Sequence, residues 1–194
     1  MKCILLISSG IDSPVAGFLM KQKGIDLIGV NYVFNDVDGV VIDLAKKIGL
    51  DKLYVVNISK PHQEFMEKCN RKFQCVFCKR LMLRIAEKIA HEERADYIVT
   101  GENLGQVASQ TLSNIAVTDA AVSLSVLRPI LCFDKQEAVD IAKKIGTYDL
   151  SIKITKKCPM LPPKVATKSK IEFMEAEEEK IDLDSYEVVK VVEL

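Results

Sequence analysis

Apolar positions follow two rhythms along the chain. Short, nearly continuous apolar runs of strand length occupy residues 4–7, 27–33, 53–58, 97–100 and 126–131. Between them, apolar side chains return every three or four residues, the spacing of a helix face. Val15, Phe18 and Leu19 predict a helix over 14–23, with Gly24 as its stop. A second helix is predicted over 40–48, closed by Gly49. A long helical region covers 61–94, with a break near 73–74; in its second half Leu81, Ile85 and Ile89 share a face, flanked by Met82, Ala86 and Ala90. Residues 105–117 are read as another helix. Asp134 and Glu137 have the spacing of a capping box, followed by Ala138, Ile141, Ala142 and Ile145. Strands that are apolar throughout and alternate with helices imply a parallel sheet covered on both faces. The expected fold is therefore α/β, a three-layer sandwich around a mostly parallel five-stranded sheet. Pro129 marks the end of the fifth strand or an edge position. Residues 151–168 are irregular and basic, with Pro159, Pro162 and Pro163. The tail from Ser169 holds a Glu-rich helical piece, whose 175–180 stretch reads as a solvated face, and ends in an apolar run at 188–192.

Composition narrows this picture. A chain of 194 residues with 48% apolar content suits one domain with a real core. Lys plus Arg and Asp plus Glu number 27 each, which argues against a strongly basic nucleic-acid binder but leaves room for a local basic face. No apolar run reaches the roughly 18 residues of a membrane span, and the polar loop after residue 7 does not suit a signal peptide. A cytoplasmic protein with no membrane association is expected, and its six cysteines then read as thiols, ligands or catalysts before disulfides.

The first chemically pointed stretch is Ser8-Ser9-Gly10-Ile11-Asp12-Ser13, between the first strand and the first helix. In an open parallel sheet, ligands bind beyond the carboxyl ends of the strands. A helix start there offers free N–H groups and a positive dipole end to a phosphate. Gly10 permits close approach, and Ser8, Ser9 and Ser13 carry hydroxyl donors. Asp12 repels phosphate unless it holds Mg²⁺. Ser13 is also expected as N-cap with Pro14 at the first helical position, which does not compete with phosphate binding. The stretch is neither a Walker A loop nor a dinucleotide fingerprint.

Cys75 and Cys78 form a CxxC whose spacing puts both sulfurs on one helix face, and Cys158 lies in the proline-rich segment. The pair alone is ambiguous. Zinc calls for four ligands and no second pair or nearby histidine is present; a thioredoxin-type site calls for a strand just before it. Three convergent cysteines suit an iron–sulfur cluster, and three unconnected thiols are the plain alternative. Cys3, Cys69 and Cys132 sit in apolar surroundings and are expected to be buried; His62 and His91 are expected at the surface.

The loop resembles the SGGxDS pyrophosphatase loop of adenine-nucleotide alpha hydrolases. A longer set, residues 9–16, Thr100 through Thr111, Leu127-Arg128-Pro129, Asp134-Lys135, Ile145-Gly146-Thr147 and Lys168 through Glu172, resembles the tRNA 4-thiouridine sulfurtransferase family, ThiI, over essentially the whole chain. The resemblance implies a PP-loop ATP pyrophosphatase domain over 1–170, with 171–194 as its extension, in a stand-alone form without THUMP or rhodanese regions. It implies ATP with Mg²⁺, adenylation of a tRNA uridine at O4, and replacement of that oxygen by sulfur. Nucleotide contacts are implied at Leu6, Ile7, Ser8, Ser9, Gly10, Ile11, Asp12, Ser13, Asn31, Tyr32, Lys79, Gly101 and Gln110. Asp12 and Lys135 are implied in adenylation. Lys135 opposes its own helix dipole unless an anion sits nearby; a solvated lysine is the alternative. Cys75, Cys78 and Cys158 are implied as sulfur chemistry, on a cluster or as a persulfide. The implied partners are tRNA, delivered by a separate THUMP-containing protein, a sulfur donor, and a second copy of the chain. Ser9 stands where the family has glycine, a substitution expected to cost something at a position of positive φ or close phosphate approach. Two other readings keep the fold: a related enzyme with a thiamine-related or partner-delivered acceptor, and a degenerate nucleotide-binding module.

Overall fold

β1 (Lys2–Leu6), β2 (Asp26–Val33), β3 (Lys52–Asn57), β4 (Tyr97–Val99), β5 (Val126–Leu127) and β6 (Glu187–Glu193) join in one sheet, ordered β5-β4-β1-β2-β3-β6. The computed structural model describes residues 1–34, 39–153 and 158–194; residues 154–157 of the basic segment lie outside the described residues. The first five strands pair in parallel, and β6 pairs antiparallel to β3. The sheet is thus α/β and mostly parallel, with six strands where the sequence predicts five. The sixth is the terminal valine run, an edge strand whose Val188, Val189 and Val191 are exposed, so no core periodicity betrayed it.

Side-chain alternation in β1 divides the core. Ile4 joins Ile28, Val30 and Val56 on one face, beneath α3 (Ser59–Lys68) and α4 (Gln74–Glu93). Cys3 and Leu5 join Leu27, Leu53 and Val55 on the other, beneath α1 (Asp12–Gln22) and α2 (Gly39–Lys47). Three layers follow. Gly17 in α1 lies so close to the sheet that a Cβ would stand 2.6 Å from Leu5 Cδ2 and 2.8 Å from Ile48 Cδ1.

The break expected near 73–74 is a 3₁₀ turn over Arg71–Phe73, capped by Asn70, whose Oδ1 accepts from Lys72 N–H at 3.1 Å. The helix expected over 105–117 starts only at α5 (Leu112–Asp119). Gly105 turns with φ +77°, and Thr111 Oγ1 accepts from Asn114 N–H at 3.2 Å as the cap, so residues 102–111 are loop. The capping box holds as expected: Asp134 and Glu137 bond reciprocally at the start of α6 (Lys135–Lys144). A short α7 (Tyr148–Ser151) and α8 (Ile171–Glu178) complete the helices described.

Three expectations change. Residues 175–180 are not a solvated face throughout, because Glu177 and Glu178 are buried. Glu178 takes Arg80 Nε at 2.5 Å and Arg84 Nη2 at 2.8 Å, and Arg80, 0% exposed, also donates to the Val117 carbonyl at 2.6 Å. A charge this deep is tolerable only because it is paired on every side. Glu177 accepts from Asn70 N–H at 2.6 Å. A run of acids looks solvated until the Arg80/Arg84 stripe of α4 is folded against it. Second, His62 is buried between Phe34 and Phe77, with Nδ1 3.0 Å from Gln74 Nε2, and burial pushes its pKa down to about 4. Third, Cys132 is exposed, since the turn after β5 lifts it off the core; Cys3 is buried and Cys69 half-buried.

Candidate active site

The chain runs outward from β1 through β2 to β3, then returns to the other side of β1 with β4 and β5. The order reverses between β1 and β4, and a crevice opens at such a switch point. The loop after β1 folds on itself there: Ser8 N–H donates to Ser13 Oγ at 2.9 Å, and the two hydroxyls stand 3.1 Å apart. Helix α1 begins at Asp12 with Ile11 at its cap position and no side-chain cap. Ser13 is therefore not the N-cap; its hydroxyl turns back to Ser8, which leaves the first N–H groups of α1 free for an anion. Ser9 keeps a negative φ, Arg94 being the one non-glycine among the described residues with positive φ. The expected backbone penalty at Ser9 does not arise. Ser151 Oγ donates to the Gly10 carbonyl at 3.3 Å and ties α7 to the loop. Gly101, just beyond β4, lies against the start of α1.

A cleft of about 340 Å³ opens over this loop. Ser8, Gly10, Asp12, Ser13 and Lys79 line it together with Leu6, Tyr32, Phe34, Ile58, Met82 and Leu83. An apolar pocket with a few convergent polar groups suits a ligand with a flat apolar body and a charged tail. Ile7, Asn31, Gly101 and Gln110 also line it, whereas Ser9 and Ile11 do not. Asn31 Nδ2 donates to the Ile7 carbonyl at 2.8 Å and fixes the β1–β2 mouth. Tyr32 OH donates to the Met82 carbonyl at 2.5 Å. Lys79 Nζ meets Glu102 Oε1 at 2.5 Å, and Arg128 Nε meets Glu102 Oε2 at 2.9 Å. Arg128 also pairs with Asp119, so it is committed to acids. Glu102 was not singled out in the sequence; its position directly after Gly101 at a strand end was the available signal. Phe34, Ile58, Met82, Leu83 and Thr100 gave no comparable signal, being ordinary core letters.

Asp12 is half-buried, and burial raises its pKa while the charge of Lys135, the first residue of α6, pulls it back. The two elements converge on the loop although Lys135 does not line the cleft.

Cys78 lines the cleft, and Cys75 stands one turn earlier on α4. Burial raises the pKa of both thiols, and Cys158, exposed, adds to the shift of each, so it lies within electrostatic range of the pair. Among the described residues no group of three or more His, Cys, Asp or Glu side chains could hold a metal ion. Burial, then the charges of Cys158 and Cys75, push the Cys78 thiol up to about 12. Only the thiolate alkylates, so iodoacetamide at neutral pH is expected to label exposed Cys158 and Cys132 and spare Cys78, which reacts only as pH climbs toward its raised pKa. Peptide mass mapping reads this; Cys78 labelled at pH 7 as fast as Cys132 would contradict the burial.

Fold and site together define a class: an open, mostly parallel α/β protein whose cleft at the switch point is built in the manner of nucleotide sites. The family described as thiamine biosynthesis protein (ThiI) matches residues 1–183, and the chain belongs to that family. A probable tRNA sulfurtransferase of Caldanaerobacter subterraneus subsp. tengcongensis is 39% identical over 95% of this chain and 52% of its own length. One of Methanocaldococcus jannaschii is 39% identical over 94% of this chain and 50% of its own. The chain spans about half the length of the curated relatives it matches. A crystal structure of a 4-thiouridine synthetase–RNA complex with bound ATP superposes with a TM-score of 0.90 at 37% identity, over 98% of this chain and 54% of that one. NMN synthetase from Francisella tularensis, 12% identical with a TM-score of 0.61, shares the fold. None of the described helices is long and apolar enough to cross a membrane.

Proposed function

We propose that this chain is the catalytic unit of an ATP-dependent tRNA sulfurtransferase that converts a uridine to 4-thiouridine. One observation carries the reading: Cys78 is at once a wall of the nucleotide-type cleft and a neighbour of Cys75 and Cys158, so an adenylating site and a sulfur site share a side chain. The family membership and the ATP- and RNA-bound structural relative support it.

In this reading the adenine enters the apolar part of the cleft and the phosphates meet the start of α1. The uridine O4 attacks the α-phosphorus and pyrophosphate leaves, with Lys79 and Lys135 offsetting its charge. Mg²⁺ arriving with the nucleotide would be held by Asp12. Activation is required because a carbonyl oxygen of this kind is a poor leaving group. The terminal sulfur of a Cys158 persulfide then attacks C4, and AMP departs with the original oxygen. A thiolate of Cys75 or Cys78 attacks the Cys158 sulfur, releasing the thiocarbonyl and leaving a disulfide for an external thiol to reduce.

Residues 1–170 act as the PP-loop domain and 171–194 as its extension. A cytoplasmic location, a sulfur donor, a THUMP-containing partner and a second copy of the chain complete the reading and rest on the family resemblance. An iron–sulfur cluster on Cys75, Cys78 and Cys158 is the competing sulfur carrier; iron and sulfide assays of anaerobically purified protein separate the two.

The test is pyrophosphate release from ATP with and without unmodified tRNA. RNA-dependent release is expected. Asp12→Asn, which removes only the charge, is expected to slow it about tenfold, the scale of one charge-assisted contact. Release by Asp12→Asn at the wild-type rate would sink the assignment of the loop.

A further inference from the structure

The chain has no net charge, yet one part of its surface collects five cations that pair with no acid among the described residues. Arg71 and Lys72 form the 3₁₀ turn just before the CxxC. Lys164, Lys168 and Lys170 follow Cys158 in the chain. The two segments are stitched together: Ala166 N–H donates to the Lys72 carbonyl at 2.9 Å, and Phe73 and Phe173 pack with ring centroids 4.5 Å apart. Asn114, itself buried, holds the second segment by donating to the Ala166 carbonyl at 2.9 Å and accepting from Ser169 Oγ at 2.7 Å. All five cations are exposed, and none enters an ion pair among the described residues. The acids of α8 do not answer them. Glu177 and Glu178 are buried and paired, Glu175 and Glu179 line the groove beside Arg84, and Glu172, exposed in the first turn of α8, enters no ion pair among the described residues, so five cations stand against one nearby acid.

We propose that Arg71, Lys72, Lys164, Lys168 and Lys170 form a phosphate-gripping surface through which this chain itself holds the substrate RNA beside Cys158. The inference rests on the RNA reading above and adds where the backbone lies. Cations spread over two adjoining segments match a phosphate at every nucleotide better than a single carboxylate. Phe173, still 36% exposed at the edge of the patch, offers a face on which an unpaired base can stack. Arg71 and Lys72 precede the CxxC and the lysines follow Cys158 in the chain, so gripping the backbone there holds the uridine toward the sulfur and not merely the RNA as a whole.

The test measures tRNA affinity of the full chain by fluorescence anisotropy across a KCl series, together with ATP affinity. Two variants are compared: Arg71→Ala/Lys72→Ala, and Lys164→Ala/Lys168→Ala/Lys170→Ala. Each lost phosphate contact lowers the salt slope by about 0.7–0.9. The triple variant is therefore expected to lose a slope of about two to three and to bind on the order of tenfold more weakly at moderate salt. ATP affinity should stay unchanged in both variants, a readout that a damaged fold would move. Lys23→Ala/Lys144→Ala, exposed lysines elsewhere, should leave RNA binding unaltered. If wild type binds and thiolates tRNA and both patch variants match it in slope and affinity, the surface is wrong and the RNA reading stands. If wild type binds no tRNA even at low salt, both fall. Polyglutamate bound as tightly as tRNA at equal ionic strength would reassign the patch to acidic proteins.

Discussion

Gly101→Ala is expected to cost the protein most of its affinity for ATP while leaving the sheet folded. A Cβ at this position would stand 2.6 Å from both Ser13 N and Ser13 Cα and 2.8 Å from the Asp12 carbonyl carbon. These are backbone atoms at the first turn of α1, and no side-chain rotation relieves the clash. Either β4 or the start of α1 must move, and the start of α1 is the less embedded of the two, since β4 is held by β1 on one side and β5 on the other. The displaced group is then the set of N–H donors proposed to hold the phosphates. Overpacking of this kind costs about 1–3 kcal/mol, and all of it falls on the binding loop. The ATP affinity is expected to drop on the order of tenfold to a hundredfold by calorimetry, with thermal unfolding still cooperative. Unchanged affinity with an unchanged unfolding midpoint would mean that the junction of β4 and α1 does not hold the nucleotide.

Cys158→Ser is expected to separate the two half-reactions. An alkoxide carries no persulfide, so sulfur transfer should fall to background. In the proposed reading adenylation uses the loop after β1, Lys79 and Lys135, none of which depends on the sulfur atom, so RNA-dependent pyrophosphate release should persist within about twofold, the scatter of a surface substitution. Thiolation and pyrophosphate assayed in the same tube read both. A variant that still forms 4-thiouridine at the wild-type rate would remove Cys158 from the sulfur path. Loss of both activities would give it a part in adenylation.

Where a segment is buried on both sides, its letters announced it. The first four parallel strands, α1 and the capping box of α6 follow directly from apolar runs, periodicity and cap spacing, whereas the run at 126–131 is strand only over Val126–Leu127, half-buried, before the chain turns. The features that escaped are those decided by distant partners. β6 is legible only once β3 supplies an edge to pair with. Glu177 and Glu178 read as solvated because Asn70, Arg80 and Arg84 lie 94 to 107 residues away in sequence. His62 looked polar among polar neighbours, yet Phe34 and Phe77 close over it from two other elements. Within the site, Ser8 through Ser13 marked the loop, but the true role of Ser13, turning back to Ser8, needed coordinates. Ser9 raised two concerns, of which its negative φ removes the backbone one. Glu102 was invisible as chemistry until Lys79 and Arg128 converged on it. The electrostatic reach of Cys158 to the CxxC is a further gain, because the residues between Cys78 and Cys158 carry no local signal of it.

In the proposed reading adenylation and sulfur transfer share one cleft, and their stoichiometry tests this most directly. Purified protein, loaded with a persulfide donor and given ATP and unmodified tRNA, should release pyrophosphate and AMP in step with each 4-thiouridine detected by nucleoside mass spectrometry. Tight ATP binding with no pyrophosphate released for any RNA offered would contradict it, and would leave a nucleotide-binding module in place of an enzyme.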